Sequence, residues 1–252
     1  GRGVKVLEDV SQAVGASYKG KPLGSMGDIA AASLQVNKTI SAGEGGMVYT
    51  NDPALYERAC RFHDVGVLRS PHQERVGGAR LEPIVGSNFR MNEFTAAVLL
   101  AQIRKLDRVV SDIRAAAARV YRGIEDLAGL KLRKRPDPAG ELGAGVFLEF
   151  STKQKRDRFI EAMNAENVPA RPPGGSIILP VQPYIEGKRG VHPNWPSFAS
   201  PRGREIRYGA ASCPRTLDVL DRFAGPSLDP KFSQSDTDDI VAAIRKVYPK
   251  VA

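Results

Sequence analysis

The passage from Ile29 to Thr50 constrains this sequence more than any other. A run of small apolar residues, Ile29 to Val36, leads to Lys38 and then to the glycine-rich loop Gly43-Glu44-Gly45-Gly46. A second apolar run, Met47-Val48-Tyr49-Thr50, follows at once. The first run is short and bounded by glycines, as expected of a buried strand. Ahead of it, Val4 to Leu7 reads as another short buried strand, with Glu8 and Asp9 at its carboxyl end. Ligands of open α/β sheets gather at that end of the strands. The pattern therefore sets a carboxylate, Asp9, and an amine, Lys38, after two strands of one α/β layer.

The rest of the chain supplies flanking helices. Asp52 and Pro53 read as an N-cap followed by a first-turn proline, which opens a helix from Ala54 to His63. Residues 66–90 are loop-rich. Asn92 to Leu127 is helical in period but long for one globular helix, so a break is expected near Arg108 to Asp112. There the chain is expected to pass from a first domain, residues 1–112, to a second, residues 113–252. In the second, Leu130-Lys131-Leu132 and Val146 to Phe150 read as strands, and Ser151 as the cap of a helix running to Glu166. Residues 169–203, rich in Pro and Gly, read as one long loop. A final helix, Asp239 to Tyr248, is expected to open on a capping box of Ser235 and Asp238.

Charge and cysteine usage narrow the function classes. The net charge of +9 is compatible with nucleic acid or with an anionic small substrate. The basic residues are scattered, and no aromatics interleave with the clusters at Lys131–Arg135 and Arg202–Arg204, so no nucleic-acid partner is expected. Cys60 and Cys213 form no Cys-x-x-Cys pair, and His63, His72 and His192 have no metal-ligand spacing. Neither a metal site nor a disulfide framework is indicated, and two reduced thiols suit a cytoplasmic protein. No apolar run is long enough to span a membrane.

A buried lysine and a buried aspartate that face one ligand point to pyridoxal 5'-phosphate (PLP). The lysine amine would join the cofactor aldehyde, and the carboxylate would keep the pyridine nitrogen protonated. Ser33 could offer its hydroxyl to the phosphate, and the glycines at 43, 45 and 46 allow backbone to approach a ligand closely. The residues alone also admit plainer readings: an exposed lysine after a strand, an aspartate in a turn, a glycine hairpin.

Four segments, in matching order and spacing, carry a family resemblance. They are Leu7-Glu8-Asp9-Val10-Ser11-Gln12-Ala13 with Gly15-Ala16; Gly24-Ser25-Met26-Gly27-Asp28; Ser33 through Lys38 to Gly46 with Thr50-Asn51-Asp52; and Gly86-Ser87-Asn88-Phe89-Arg90-Met91-Asn92-Glu93 with Gln102 to Leu106. The sequence resembles the DegT/DnrJ/EryC1/StrS sugar aminotransferases, of PLP fold type I. The resemblance implies an α/β fold: part of a large cofactor-binding domain, with a mostly parallel sheet and flanking helices, followed by a smaller C-terminal α+β domain. It implies that Asp9 pairs with the pyridinium nitrogen, Gln12 contacts the ring hydroxyl side, Ser33 binds the phosphate, and Lys38 carries the cofactor and shuttles the proton. Asn88 would reach the cofactor phosphate of a partner subunit in a homodimer, and Arg90 would contact substrate in that shared site.

The implied reaction is a ping-pong transfer of an amino group from an amino acid to a keto-sugar, commonly nucleotide-linked, as in polysaccharide or antibiotic sugar biosynthesis. A histidine at the lysine position marks dehydratases in this family, so Lys38 favours transamination. A PLP-dependent dehydratase, a PLP-binding regulator and a basic non-enzymatic binding module remain alternatives. Family members extend further at the N-terminus and carry there a phosphate-binding glycine-plus-hydroxyl segment and a ring-stacking aromatic. The sequence is therefore expected to be N-terminally truncated and these 252 residues alone to bind the cofactor weakly or not at all, with an inactive fragment as a further alternative.

Overall fold

Ile29–Ser33 is a short strand of small residues around which the first sheet is built. It is β4, the middle of a three-stranded sheet in the order β1-β4-β5. A computed structural model describes residues 2–173 and 178–251. Gly1 and residues 174–177 of the Pro/Gly-rich stretch lie outside the described residues. The chain divides into two compact units: Gly1–Arg114 with Arg135–Leu142, and Ala115–Lys134 with Gly143–Ala252.

In the first unit, β1 (Leu7–Asp9) pairs in parallel with β4, Leu7 opposite Ile29 and Asp9 opposite Ala31. A two-residue hairpin, β2 (Ser17–Tyr18) and β3 (Lys21–Pro22), lies between them in sequence. β5 (Gly46–Tyr49) closes the other side of β4 antiparallel, Ser33 opposite Gly46. Along β4 the two-residue period buries Ala30 and Ala32. The first strand differs from the sequence reading. It begins at Leu7, and Val4, Val6 and Leu7 are exposed rather than buried. The reason is its place at the sheet edge, with a neighbour on one side only among the described residues.

Helix α1 (Pro53–His63) starts as its sequence predicts: Asp52 accepts from the amides of Ala54 (2.8 Å) and Leu55 (3.2 Å), and Pro53 opens the first turn. The loop that follows contains a short helix, α2 (Ser70–Arg75). It is braced by Glu57 and Arg61, both buried. Glu57 accepts from Arg61 Nε (2.9 Å) and from the amides of Arg80 (2.8 Å) and Leu81 (3.1 Å). The long helical stretch breaks at Arg104-Lys105, earlier than expected, giving α3 (Glu93–Ile103) and α4 (Leu106–Ile124). The two helices have different patterns. Residues 113, 116, 117, 120 and 124 of α4 are buried in helical period, whereas α3 buries only Leu99 and exposes Phe94, Val98, Leu100 and Ile103.

The second unit has its own core. Val120 and Ile124 of α4, Phe159 and Met163 of α5 (Lys153–Ala165), and Ile244, Val247 and Tyr248 of α10 (Gln234–Val251) pack together with Val146, Leu148 and Phe150. A three-stranded sheet of β6 (Leu148–Glu149), β8 (Phe223–Pro226) and β7 (Ala170–Arg171), in that order, supports them. Four short helices, α6 (Pro183–Glu186), α7 (Pro196–Ala199), α8 (Pro201–Glu205) and α9 (Pro214–Leu220), occupy much of the remainder, so the 169–203 stretch is not one loop. Each begins at a proline, whose fixed φ suits a first turn. Leu130–Leu132 forms a single bridge, Leu132 to Leu148, instead of a strand. The cap of α5 is Thr152, not Ser151, accepting from Lys155 N at 3.2 Å. The capping box of α10 is Ser233 with Asp236, two residues before the predicted one, and the helix starts five residues early.

Candidate active site

Two adjacent carboxylates of β1 face different tasks, because successive strand residues point to opposite faces. Glu8 is half-buried and accepts from the amides of Gly24 (2.7 Å), Met26 (2.7 Å) and Gly27. These backbone donors hold its carboxyl below the usual range and fix the loop that ends at Asp28. Asp28 is in turn held by Val6 N (2.8 Å) and Lys5 Nζ (2.9 Å). Sequence reasoning missed Glu8; the period-two alternation of a strand was the signal that only one of the pair could face a ligand.

Asp9 keeps its carboxylate on the other face, exposed rather than buried as the sequence reading has it. Hydrogen bonds from the hydroxyl and amide of Ser11 (the amide at 2.9 Å) hold its carboxyl below the usual range, with a smaller contribution from the Lys38 ammonium. Lys38 is half-buried, again not buried. It sits in a loop strung between two buried anchors, Leu34 and Ile40, which pack with Leu99 and against Met47 and Met91. Leu34 N donates to Gly45 O (2.9 Å), and Ala42 N donates to Leu34 O (3.0 Å). Gly45 has φ +145°, a backbone conformation that residues with a side chain rarely adopt, so this turn of the loop favours glycine.

Asp9 and Lys38 thus follow the carboxyl ends of the parallel pair β1 and β4. Ser33 ends β4, its Oγ accepting only a long bond from Gln35 N (3.4 Å). Gln12 is exposed just beyond β1. A carboxylate, an amine within electrostatic reach and a hydroxyl at one sheet end fit the donor set that PLP needs.

Asn88 and Arg90 form a second group. An antiparallel pair of segments positions it: Ser87 N donates to Phe62 O (2.7 Å), Val65 N to Ser87 O (3.2 Å) and Phe89 N to His63 O (2.9 Å). Asp64 therefore lies opposite Asn88. The Asp64 carboxylate is buried and takes ion pairs from Arg69 and Arg90, which hold its carboxyl at about 2. Among the described residues no hydrogen bond joins this group to Asp9, Lys38 or Ser33. The sequence reading found Arg90 but neither Asp64 nor Arg69; the Arg61 to Asp64 segment carries no motif that would have flagged them.

Both cysteines are free, Cys60 buried and Cys213 partly exposed. Among the described residues, no cluster of three His, Cys, Asp or Glu gathers to hold a metal, and no helix is long and apolar enough to cross a membrane.

Comparison with known proteins gives a consistent result. The GDP-perosamine synthase of Escherichia coli O157:H7 is 31% identical over 219 residues, which cover 82% of this chain and 57% of that protein. The UDP-N-acetyl-3-dehydro-alpha-D-glucosamine 3-aminotransferase of Acidithiobacillus ferrooxidans is 33% identical over 66% of this chain and 42% of its own length. Among solved structures, the aminotransferase from Psychrobacter cryohalolentis superposes with a TM-score of 0.74 at 23% identity, covering 98% of this chain and 62% of that one. The chain spans under three-fifths of the length of the two curated relatives. The fold is therefore the α/β fold of these enzymes, represented in part. A sequence profile matches residues 1–245, and the chain belongs to the DegT/DnrJ/EryC1/StrS aminotransferase family.

Proposed function

We propose that this chain forms part of a PLP-dependent sugar aminotransferase that moves an amino group from an amino acid to a keto-sugar carried on a nucleotide. The observation that carries the reading is the convergence of Asp9 and Lys38 at the carboxyl ends of a parallel strand pair, with Ser33 beside them. Residues 1–112 belong in this reading to the cofactor-binding domain and residues 113–252 to the small domain. The similarity to a GDP-perosamine synthase and to an aminotransferase of a UDP-linked sugar supports a nucleotide-linked acceptor.

Asp9, Gln12, Ser33 and Lys38 would hold PLP, which supplies an electron sink when bound. Asp9, facing the lysine loop, would keep the pyridine nitrogen protonated. Ser33 would donate its hydroxyl to the phosphate, and Gln12 would contact the ring on its hydroxyl side. Lys38 is the general base and acid that carries the proton at the substrate carbon. Its anchors Leu34 and Ile40 fix the loop that carries the amine.

Asn88 and Arg90 serve the site of a second copy in a homodimer. The surface around them supports this: Phe62 and Phe89 stack at 5.9 Å while exposed, and Val85 and Phe94 are exposed close by in sequence. Clustered exposed apolar residues mark interaction surfaces. The free thiols suit a cytoplasmic setting.

The test is chemical. Borohydride treatment of the PLP-loaded protein is expected to leave a covalent adduct at Lys38, lost in Lys38→Ala and located by mass spectrometry. An adduct that persists in that variant overturns the assignment. Release of the oxo acid from L-glutamate or L-glutamine then separates an aminotransferase from a PLP-binding regulator.

A further inference from the structure

Four arginines of the first unit are held in two ways. Arg61 is buried and fully engaged: Glu57 takes its Nε, Gly66 O its Nη1 (3.2 Å) and Leu81 O its Nη2 (3.1 Å). Arg114 likewise serves the chain itself, donating to the carbonyls of Glu141 (2.9 Å) and Gly140 (3.0 Å). Arg69 and Arg90 are different. Their side chains are 57% and 41% exposed, and each binds one group only, the carboxylate of Asp64. Arg69 uses Nε and Nη2, the second at 3.3 Å, and Arg90 uses Nη1. The other N–H donors of both guanidiniums have no protein acceptor among the described residues.

Two guanidiniums on one carboxylate carry a net charge of +1. Asp64 stays ionised at any working pH, since its carboxyl is held at about 2. It is fixed from the backbone as well, through its bridge to Asn88 and the hydrogen bond its N–H donates to Cys60 O (3.1 Å). The Glu57–Arg61 brace buries both of its partners. Here the carboxylate is buried and the arginines face outward, an arrangement that orients donors toward something outside the chain. Guanidinium forks match the paired oxygens of phosphates and carboxylates.

We propose that Asp64 is a positioning residue: it holds Arg90, with Arg69 beside it, as a paired donor surface next to Asn88 that takes an oxyanion group of the substrate. The inference rests on the aminotransferase reading above. The oxyanion could come from the nucleoside diphosphate of the acceptor or from the carboxylate of the donor, and two probes separate these sources. Calorimetric binding of GDP and of L-glutamate to the PLP-loaded full chain is measured for wild type, Asp64→Asn, Arg90→Gln and the double variant. Asp64→Asn is expected to weaken one of the two probes about tenfold, on the scale of a lost charge-assisted contact. Which probe weakens names the source. Arg90→Gln is expected to weaken the same probe, and the two losses to be less than additive in the double variant, because Asp64 acts through Arg90 and through Arg69 beside it. The borohydride adduct at Lys38 is expected to remain in Asp64→Asn, so loss of the adduct in wild type would sink the enzyme reading separately. Should Asp64→Asn fail to fold, Asp64→Glu, which keeps the charge but displaces both guanidiniums, is held to the same expectation. Unchanged binding of both probes, no wild-type binding of either, or full additivity with Arg90→Gln overturns the proposal.

Discussion

The two units of this chain satisfy their apolar residues differently. The second encloses a continuous core from α4, α5, α10 and the β6-β8-β7 sheet, with Phe159, Met163, Leu148 and Ile244 fully buried. The first has two small clusters, around Leu34 and around Ile113, and leaves Val4, Val6, Leu7, Phe62, Val85, Phe89 and Phe94 exposed. The chemistry-bearing residues Asp9, Lys38, Asn88 and Arg90 all belong to the unit with the uncovered apolar surface. In that unit order comes from polar clamps instead: Glu8 on three amides, Glu57 on Arg61 and two amides, Asp64 on two arginines. Such clamps fix loops at defined positions without requiring a thick core, which is compatible with the ligand and subunit contacts proposed above.

The sharpest way to break the comparison is to open the core of the second unit. Phe159 is fully buried and packs on Phe150 with ring centroids 4.9 Å apart. Phe159→Ala is expected to cost about 3–5 kcal/mol, from lost burial and the cavity left behind. Chemical denaturation followed by circular dichroism measures it. A cost under about 1 kcal/mol would mean that this core is far looser than its packing indicates.

The exposed residues of the first unit should behave in the opposite way. Phe94 is 88% exposed, so Phe94→Ala is expected to change stability by less than about 0.5 kcal/mol. Self-association should suffer instead, by roughly tenfold or more in Kd if the ring is an anchor at the interface between two copies. Sedimentation equilibrium reads this directly. Unchanged association, with stability lost, would show that Phe94 serves the chain's own packing.

Much of the fold was legible where a signal is local. Asp52 and Pro53 announced α1 because cap and first-turn preferences act within three residues. The site was half legible. Asp9 and Lys38 could be placed at strand ends from the apolar runs beside them, but their exposure could not, since it depends on where a strand lies in its sheet. Glu8, Asp64 and Arg69 escaped altogether. Their partners lie 5 to 26 residues away and include backbone amides, which leave no mark in sequence. The break between α3 and α4 was misplaced for a similar reason. Arg104 and Lys105 are ordinary helix formers, and packing rather than propensity sets the turn there.

The start of α10 shows how closely local signals can compete. The segment Phe232-Ser233-Gln234-Ser235-Asp236-Thr237-Asp238 contains two overlapping boxes of the same form, Ser233 with Asp236 and Ser235 with Asp238. The structure uses the first. Ser233 Oγ accepts from Asp236 N (3.2 Å), and Asp236 Oδ2 accepts from both Ser233 N and Ser233 Oγ at 2.7 Å. The choice follows from what lies next in the helix. Starting at Gln234 puts Thr237, fully buried, within reach of Arg119 Nε (3.1 Å) and of the carbonyl of Gln234 (2.7 Å). Starting two residues later would leave Gln234 ahead of the helix, and its carbonyl out of the first-turn position that takes the Thr237 hydroxyl. Ser233→Ala is therefore expected to destabilise the second unit by about 1 kcal/mol, the usual worth of an N-cap, while Ser235→Ala changes little. Thermal unfolding of the two variants side by side decides the matter, since equal effects would mean that the helix end frays between both boxes.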